Sequence, residues 1–505
     1  GTYHTYKPEL YLGGRINDKL TYSLSGFYQG SDGYNNIPDT LRTDPDYSIA
    51  RYLKEGSISA SIGYSFHDLL NIEWQYDFYK DKRSEGEKIQ APDGEYRNFL
   101  THFSRVRMSG SKDKWHYDLG LYFQREHYFR IDERMSKGVY SRFDVRSDRD
   151  DIGAIFNTNY VLSSSQQITG GIELKQGKVD GGDYYQTSDD QVTNKGSLRS
   201  LSVYLQDEIA LFDEKLKLIA GVRIDQVQFY NGEYLATGAG VDYWEQYSPD
   251  LVNHTWHAVS PRLAARYSIS ENISTYASYS RGFRASILDD LCRSGWMGVG
   301  PKIANPQLGP EYLDNLELGM NIRLFQILTL EPTIYHSIGN DFLYYVATPD
   351  SLFGRPVYRR ENVTRVNITG IEMDARFQLH ANFLLRASYT WNQSEIDVFE
   401  ESPELAGKQL KFTPANRASA GLLWLNKYVN LGFNLLYKDT QFTDDLNTRS
   451  INRYATADLQ LSRDFITDHL LISLAVQDLF DNEHMETSEY ISPGRLVHGR
   501  ISVKF

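Results

Sequence analysis

Most of the chain consists of segments in which apolar and polar residues alternate with a period of two. The clearest lie at 57–66, 71–79, 115–124 and 429–437. Because successive side chains leave a strand on opposite faces, each segment has one apolar and one polar face. No stretch shows a helical period of comparable regularity. The pattern predicts an all-β protein built from amphipathic strands.

Short and long connections alternate between these segments. Short polar turns are predicted near Asp18, His67, Lys112, Ser164, Asp213, Glu271, Phe325, His380, Asn426 and Thr467. Long polar links are predicted at 30–54, 83–94, 129–139, 179–198, 231–255, 284–308, 346–355, 398–414, 440–450 and 480–494. The strands between them are expected to be 10 to 15 residues long. A transmembrane β-strand needs roughly 9–11 residues, with short periplasmic turns and long outer loops. The chain therefore has the pattern of a transmembrane antiparallel β-barrel.

A soluble β-propeller is the alternative fold, since its blades also repeat at about 40–50 residues. A blade has four short strands, however, and each repeat here has two long ones. The C-terminal segment also favours the barrel, because one of its faces is apolar: Val497, Gly499, Ile501, Val503 and Phe505. Arg500 and Lys504 lie on the other face and are expected in the lumen, since Lys or Arg facing lipid costs about 2–4 kcal/mol at the midplane.

The number of strands follows from the connections. Ten short turns join ten pairs of strands, and the segment 495–505 adds a twenty-first. The last strand follows a long outer loop and runs towards the periplasm, and parity gives the first strand, near 8–16, the same direction. An even-stranded barrel then requires one more strand before Gly1. We predict a barrel of the 22-stranded type with 21 strands readable here, the size of transporters with a plugged lumen.

Composition excludes several other classes of protein. The mean hydropathy is −0.50, and apolar runs stop at about half a dozen residues, where a membrane-spanning helix needs roughly 20. Cys292 is the only cysteine, which excludes an intrachain disulfide and a CxxC metal site. The net charge of −13 argues against nucleic acid as a partner.

Short motifs in the second half of the chain resemble those of one family, and in the same order. They are VYLQDEI (203–209), GVRID (221–225), SPRL (260–263), YASYSRGFRA (276–285), NPQL (305–308), PE (310–311), NLELG (315–319), VNITGIE (366–372), TP (413–414) and DLFD (478–481). Together they resemble the barrel of TonB-dependent outer-membrane receptors; the first half agrees in pattern only. Ser286 stands where the family's FRAP box has proline.

The resemblance implies a function and a set of partners. Receptors of this family import a scarce ligand when the TonB complex pulls on an N-terminal plug, and neither a plug nor a TonB box occurs in residues 1–505. We therefore expect this chain to be the outer-membrane barrel domain of a longer protein, not an enzyme, and without a cofactor. The implied partners are a small-molecule metal chelate, the TonB complex through the plug, and outer-membrane lipid or lipopolysaccharide; whether a surface lipoprotein is a further partner stays open. A passive, open porin-like barrel is the alternative.

Residues with catalytic or metal-binding chemistry are few. GxSxG, P-loop and HExxH motifs are absent from the sequence. We interpret His254 and His257, which precede Ser260, as lumen or loop histidines. The acidic runs at 148–151, 289–290 and 444–445 are either Ca²⁺ ligands, which are oxygen atoms, or solvated loops beside lipopolysaccharide. No catalytic residue and no metal ligand is predicted.

Aromatic residues in the long links are the candidates for ligand binding. They are Tyr184, Tyr185, Tyr230, Tyr234, Tyr243, Trp244, Trp296, Tyr344 and Tyr345. Those near strand ends, such as Tyr230 and Tyr344, also fit an interfacial aromatic belt. Tyr and Trp side chains away from strand ends suit capture of a partly aromatic ligand, because they combine apolar area with a polar group.

The segment between the FRAP-like and NPQL motifs narrows the choice of ligand. In the family's haem receptors the corresponding stretch carries an axial histidine, whereas residues 284–308 contain none, and Cys292 and Met297 are their only soft ligand atoms. A chelate whose metal is already saturated needs only aromatic walls and complementary charge. We therefore expect a ferric siderophore first, cobalamin second, and haem last. The candidate ligand-binding residues are Arg284, Trp296, Lys302, Trp244, Tyr184 and Tyr185.

Overall fold

A large antiparallel sheet forms almost the whole of the computed structural model, which describes residues 1–42, 45–67, 69–247, 250–297, 299–466 and 469–505. In these residues 21 long strands pair in chain order, each with the next. They are β1 Glu9–Arg15, β2 Leu20–Ser31, β3 Leu53–His67, β4 Leu70–Ser84, β5 Tyr96–Lys112, β6 Trp115–Ser136, β7 Val139–Ser163, β8 Gln166–Tyr185, β9 Gln191–Leu211, β10 Leu216–Thr237, β11 His254–Ser270, β12 Ile273–Arg284, β13 Glu311–Leu324, β14 Leu328–Leu352, β15 Arg355–His380, β16 Phe383–Phe399, β17 Asn416–Trp424, β18 Asn430–Lys438, β19 Tyr454–Ile466, β20 Leu470–Gln477 and β21 Leu496–Val503. The predicted antiparallel barrel architecture with 21 strands is confirmed.

Short elements lie in the connections at one end of the sheet. They are the α-helix α1 (Leu288–Cys292), the 3₁₀ helices Thr2–His4, Asp39–Leu41, Pro45–Tyr47, Asp242–Tyr247 and Pro403–Leu405, and the two- or three-residue strands Gly295–Trp296, Pro301–Ile303, Gln441–Phe442 and Ser450–Ile451. None of the helices within the described residues is long and apolar enough to cross a membrane.

The cross-strand register separates apolar and polar residues onto two faces. Residues directly opposite in an antiparallel pair share a face. Followed strand by strand, the ladder brings these four residues to the outer face: Ile58, Trp74, Leu119 and Phe433. The inner face carries Ser59, Glu73, Asp118 and Asn434. The predicted division between lipid and lumen is therefore confirmed.

Tyrosine side chains on the inner face lie over facing glycines. The pairs are Tyr122 with Gly153, Tyr204 with Gly171, Tyr276 with Gly319, and Tyr335 with Gly370. A β-carbon on any of these glycines would lie 2.3–2.5 Å from the ring of its tyrosine, so only glycine fits. An aromatic ring over a glycine fills the space a side chain would occupy and fixes the register. These pairs account for part of the high tyrosine content.

Several strands are much longer than the sequence pattern predicts. β7 has 25 residues and β15 has 26, and three of the predicted links, 129–139, 179–198 and 346–355, are largely strand. Beyond the membrane both faces of a hairpin meet water, so the ladder continues without the alternation that marks the buried part. The expected strand length of 10 to 15 residues was wrong for this reason. The short turns lie at the opposite end as predicted; those near His67 and Thr467 fall partly outside the described residues.

The first and last strands are the edges of the sheet. Among the described residues no ladder joins β1 to β21. Their neighbouring segments do touch: the backbone N–H of Val497 donates to Oγ1 of Thr2 at 2.7 Å, and Arg500 lies 3.0 Å from Glu9 in the lumen. Gly1 is thus at the long-loop end, as the strand directions require. A further strand between these edges stays a prediction.

We expect Leu435→Arg to reduce the free energy of unfolding by about 2–4 kcal/mol, because Leu435 faces lipid in the middle of β18. Asn434→Arg is the matched control, since it places the same charge in the lumen opposite Asp458. Denaturant titration of the protein in lipid vesicles measures both. Equal losses would contradict the assignment of the two faces.

Candidate functional site

The loop between β12 and β13 folds back against the inner wall of the barrel at the long-loop end. Its helix α1 packs on β9 and β10, and Leu291 and Cys292 are fully buried with Phe229 and Leu308. Gly196 of β9 makes this approach possible, since a β-carbon there would lie 2.8 Å from Sγ of Cys292. Burial raises the pKa of the Cys292 thiol to about 12, so this cysteine is an inert core residue.

Ion pairs attach this loop to distant strands. Nζ of Lys302 lies 2.6 Å from Asp289 within the loop, and Asp290 lies 2.6 Å from Nη1 of Arg360 on β15. Arg293 reaches Asp183 on β8 at 3.5 Å. Burial opposes the charge of Asp289, yet Lys302 and Arg293 lower its pKa; burial raises the pKa of Asp183 in spite of Arg293. The loop is therefore held by charges from two sides of the barrel.

The NPQL motif forms the second attachment of the loop. The segment Pro301–Ile303 pairs in parallel with Tyr358 and Arg359 of β15. The side-chain amide of Asn305 then donates to the carbonyl of Arg360 at 2.8 Å. These bonds satisfy backbone groups that a buried loop otherwise leaves unpaired. The motif thus fixes the path of the loop across the lumen.

An aromatic cluster joins Trp296 of this loop to residues of two other outer connections. We call it the aromatic platform: Tyr243, Trp244, Trp296 and Phe353. Trp296 stacks on Phe353 with ring centroids 6.2 Å apart, and its indole N–H donates to the Tyr243 hydroxyl at 3.1 Å. Trp244 meets Trp296 edge to face at 6.0 Å. Trp296 is 44% exposed and Phe353 72%, whereas Trp244 is only 2% exposed. The platform offers two rings to the outside on a buried base.

The six candidate ligand-binding residues occupy different positions. Trp244 and Trp296 meet in the platform, and Tyr185 packs against its base. Lys302 is close by but 9% exposed and bound to Asp289. The Arg284 side chain is largely exposed at the foot of the loop, where it pairs with Glu311. Tyr184 lies on the face of β8 opposite to that of Tyr185, where Cζ of Arg146 is 5.4 Å from the centroid of its ring. It is not part of the platform.

Two residues of the platform were not among the candidates. Tyr243 was noted as a loop aromatic, but Phe353 was not noted at all. Phe353 lies in the predicted link 346–355 and adopts a positive φ of 50° at the tip of the β14–β15 hairpin. An aromatic residue at a hairpin tip is the signal that would have identified it. Its partner in the stack is 57 residues away in the chain, which local patterns do not reveal.

Beneath α1 a cavity of about 300 Å³ remains in the lumen. Its lining carries both signs of charge: Arg149 and Arg293 are basic, and Asp151, Asp183 and Asp289 are acidic. Among the described residues no group of three or more His, Cys, Asp or Glu side chains is placed to hold a metal ion. The loop therefore contributes both to the exposed aromatic platform and, through Leu288, Asp289 and Arg293, to the lining of this polar cavity.

A second outer loop is fixed by a buried carboxylate. Glu133 of β6 accepts hydrogen bonds from the backbone N–H groups of Gln90 and Ala91 at 2.8 and 2.6 Å, and from the Tyr140 hydroxyl at 2.7 Å. Beside it, burial raises the pKa of Glu95 to about 8, with nearby carboxylates adding to the effect. The loop at 86–95 thus contains a carboxyl group that is protonated at neutral pH.

Comparison with known proteins identifies the class. Residues 5–479 match the family model described as TonB dependent receptor-like, beta-barrel. The vitamin B12 transporter BtuB of Photobacterium profundum is 22% identical over 477 residues, which are 94% of this chain and 68% of that protein. The ferrioxamine B receptor of Salmonella typhimurium is 24% identical over 325 residues, 62% of this chain and 41% of the receptor.

Solved structures agree on the fold. The siderophore receptor PiuA from Acinetobacter baumannii superposes with a TM-score of 0.77 at 15% identity, covering 99% of this chain and 80% of that one. The ferric yersiniabactin uptake receptor FyuA from Yersinia pestis gives 0.74 at 17% identity, covering 99% and 77%. The fold and these matches define an outer-membrane transport barrel. The chain belongs to the TonB-dependent receptor family, whose members are receptors and transporters, and the long-loop end is the extracellular one.

Removing the buried carboxylate of Asp290 is expected to release the loop. Asp290→Ala leaves Arg360 without its carboxylate partner, while Lys302 keeps Asp289; breaking a buried pair on one side costs about 3–5 kcal/mol. Hydrogen exchange of the backbone amides at 285–310 measures the release. Asp180→Ala, which breaks the exposed pair with Lys195, is the control and is expected to cost about 0–1 kcal/mol. Unchanged protection of these amides in Asp290→Ala would show that Asp290 does not hold the loop in place.

The stability of the 86–95 loop is expected to depend on pH through Glu95. Because the folded protein keeps a proton that the unfolded chain loses near its ordinary pKa of about 4.3, stability falls as the pH rises from there to about 8 and is level above it. Glu95→Gln is expected to abolish this slope in the thermal unfolding midpoint. Glu400→Gln, in another outer loop, is the control. If the pH dependence of the midpoint persists in Glu95→Gln, other titrating groups cause it.

Proposed function

We propose that the protein imports a metal chelate, a ferric siderophore in the first place, by the TonB-dependent route. The aromatic platform is the observation that carries this proposal. Trp296 and Phe353 present exposed ring faces at the extracellular mouth. Buried aromatic area and a polar group on Tyr243 suit a ligand with planar, partly aromatic parts. The side chain of Arg284 pairs with Glu311 but is 68% exposed, so its charge remains accessible to anionic oxygens of a ligand.

The positions of the histidines support a chelate over haem. His257 and His336, the histidines nearest in sequence to the 284–308 segment, lie opposite Gln226 and Leu316 in the ladder, on the outer face of the barrel. They therefore point away from the lumen. Met297 and the buried Cys292 are the only soft atoms of the segment. A chelate with saturated metal needs no protein ligand, which agrees with this lining.

Cobalamin is the second candidate ligand. The vitamin B12 transporter of Photobacterium profundum aligns with 94% of this chain, whereas the ferrioxamine B receptor aligns with 62%. Cobalamin also carries its metal in a preformed chelate and offers a broad apolar surface. The platform suits both ligands, so binding rather than sequence similarity has to distinguish them.

Movement of ligand into the cell would depend on the lumen wall and on the plug. A cavity of about 680 Å³ on the inner face of β13–β18 exposes Arg323, Arg376 and Arg386 together with Glu331 and Asp374. We propose that this polar wall receives the plug, and that TonB acts through it. The latch of Asp290, Lys302 and Arg360 would keep the loop in place until ligand binds. A binding site that closes over its ligand raises the local affinity before transport begins.

Binding of ferric siderophores, cobalamin and haem to the full-length protein tests the proposal. We expect Trp296→Ala and Phe353→Ala each to weaken binding of the chelate about tenfold, because each removes a ring worth about 1 kcal/mol or more. Phe325→Ala, an exposed phenylalanine in a periplasmic turn, is the control and is expected to bind as the wild type does. Tight haem binding that survives both substitutions, with no chelate bound, would overturn the proposal. Large ion conductance without ligand binding would favour a passive porin.

A further inference from the structure

The outer face of β3 and β4 carries three lysines at one height. Lys54 lies directly opposite Lys82, and Lys80 is opposite Gly56. These residues share the face of Ile58 and Phe78, which is the lipid-facing side. Lys80 is ten residues beyond Leu70, and at about 3.4 Å per residue and a tilt of about 40° it stands roughly 25 Å above the periplasmic turn. That is the height of the outer-leaflet headgroups.

Acidic residues next to these lysines in sequence cannot neutralise them. Glu55 and Asp81 alternate with the lysines and therefore point into the lumen, where both pair with Arg83 at 3.0 and 2.6 Å. On the outer face Lys82 pairs with Asp93 at 2.5 Å. Among the described residues neither Lys54 nor Lys80 forms an ion pair. The charged run 80–83 thus separates into a balanced inner set and a positive outer one.

Like charges directly opposite on neighbouring strands destabilise a sheet. Lys54 nevertheless lies directly opposite Lys82 on the outer face, and the centroid of the Tyr52 ring is 6.0 Å from each ammonium group. Elsewhere on this outer rim Arg125 has a carboxylate across the strand, Asp150, at 2.7 Å. Asp93 offsets part of this repulsion, because it pairs with Lys82, and Lys82 and more weakly Lys54 lower its pKa. One carboxylate does not balance three lysines, so an anion from outside the chain would reduce the repulsion that remains.

An apolar groove runs below the lysines. It has a volume of about 420 Å³; on the outer face its lower part is lined by Tyr28, Gly56, Ile58 and Phe78 and its upper part by the three lysines. Gly56 provides the low floor between Tyr28 on one side and Lys80 on the other. The groove continues the lipid-facing surface of the barrel, and the positive charge stands only at its extracellular end. A molecule that fits has an acyl chain and, above it, a phosphate.

We propose that Lys54, Lys80 and the groove beneath them bind one molecule of the phosphorylated glycolipid of the outer leaflet, lipopolysaccharide. Its phosphate lies between the lysine ammonium groups, and an acyl chain fills the groove beside Ile58 and Phe78. The site rests on the outer-membrane location of the barrel and is independent of the imported ligand. It lies on the opposite side of the barrel wall from the aromatic platform.

The test is retention of lipopolysaccharide by the full-length protein, extracted from outer membranes and measured by native mass spectrometry. We expect the double variant Lys54→Gln/Lys80→Gln to lose roughly fivefold in affinity for each lysine removed. Lys54→Arg/Lys80→Arg is expected to retain the lipid. The control, Lys19→Gln/Lys427→Gln, makes the same change of charge in periplasmic turns and is expected to have no effect. Heat-resistant migration on gels shows that each variant is folded.

Binding experiments with purified lipids show which phosphate-bearing molecule the site takes. Purified lipid A is expected to bind to the delipidated protein, and dephosphorylated lipid A and phosphatidylglycerol are expected to bind much more weakly. Equal binding of either of these, displacement by inorganic phosphate, or equal loss in the periplasmic control would overturn the proposal. A protein partner that occupies this face in place of lipid would also overturn it.

Discussion

The need to pair every backbone N–H and C=O group away from water governs this structure. Inside a bilayer no solvent can replace a missing hydrogen bond, so strands have to join their neighbours continuously. Pairing each strand with the next along the chain meets this need with short turns at one end only. The ladder then fixes which face every residue takes. That register sets the positions of the aromatic platform, of the ion-paired residues Asp290, Lys302 and Arg360, and of the outer-face lysines of β3 and β4.

Prediction from sequence was most successful where lipid imposes a pattern. Ile58, Trp74, Leu119 and Phe433 were assigned to the outer face because a lipid-facing strand has to alternate, and the ladder places them there. The same constraint is absent above the membrane, where β7 and β15 continue as strands with both faces in water. Their upper halves therefore resemble loops in the sequence. What alternation marks is the membrane, not the full strand.

The candidate site was predicted only in part, for a related reason. Trp244 and Trp296 stand out as aromatic residues inside long links, and they do meet. Which side chains complete the site depends on residues brought together across the barrel mouth, such as Phe353 from another hairpin. The partners of the loop charges, Asp183 and Arg360, are equally remote in sequence. No local pattern encodes such contacts; they follow from the order and register of the strands around the barrel.

Period two also lets one short segment serve two environments. In 80–83 one acidic and three basic residues are adjacent in sequence, with a net charge of +2. The strand sends Asp81 and Arg83 to the lumen and Lys80 and Lys82 to the membrane side, where the low-dielectric wall separates the two sets. The net charge of a segment thus does not show which face of the strand carries that charge. The same argument separates Tyr184, on the outer face of β8, from Tyr185, which packs at the base of the aromatic platform.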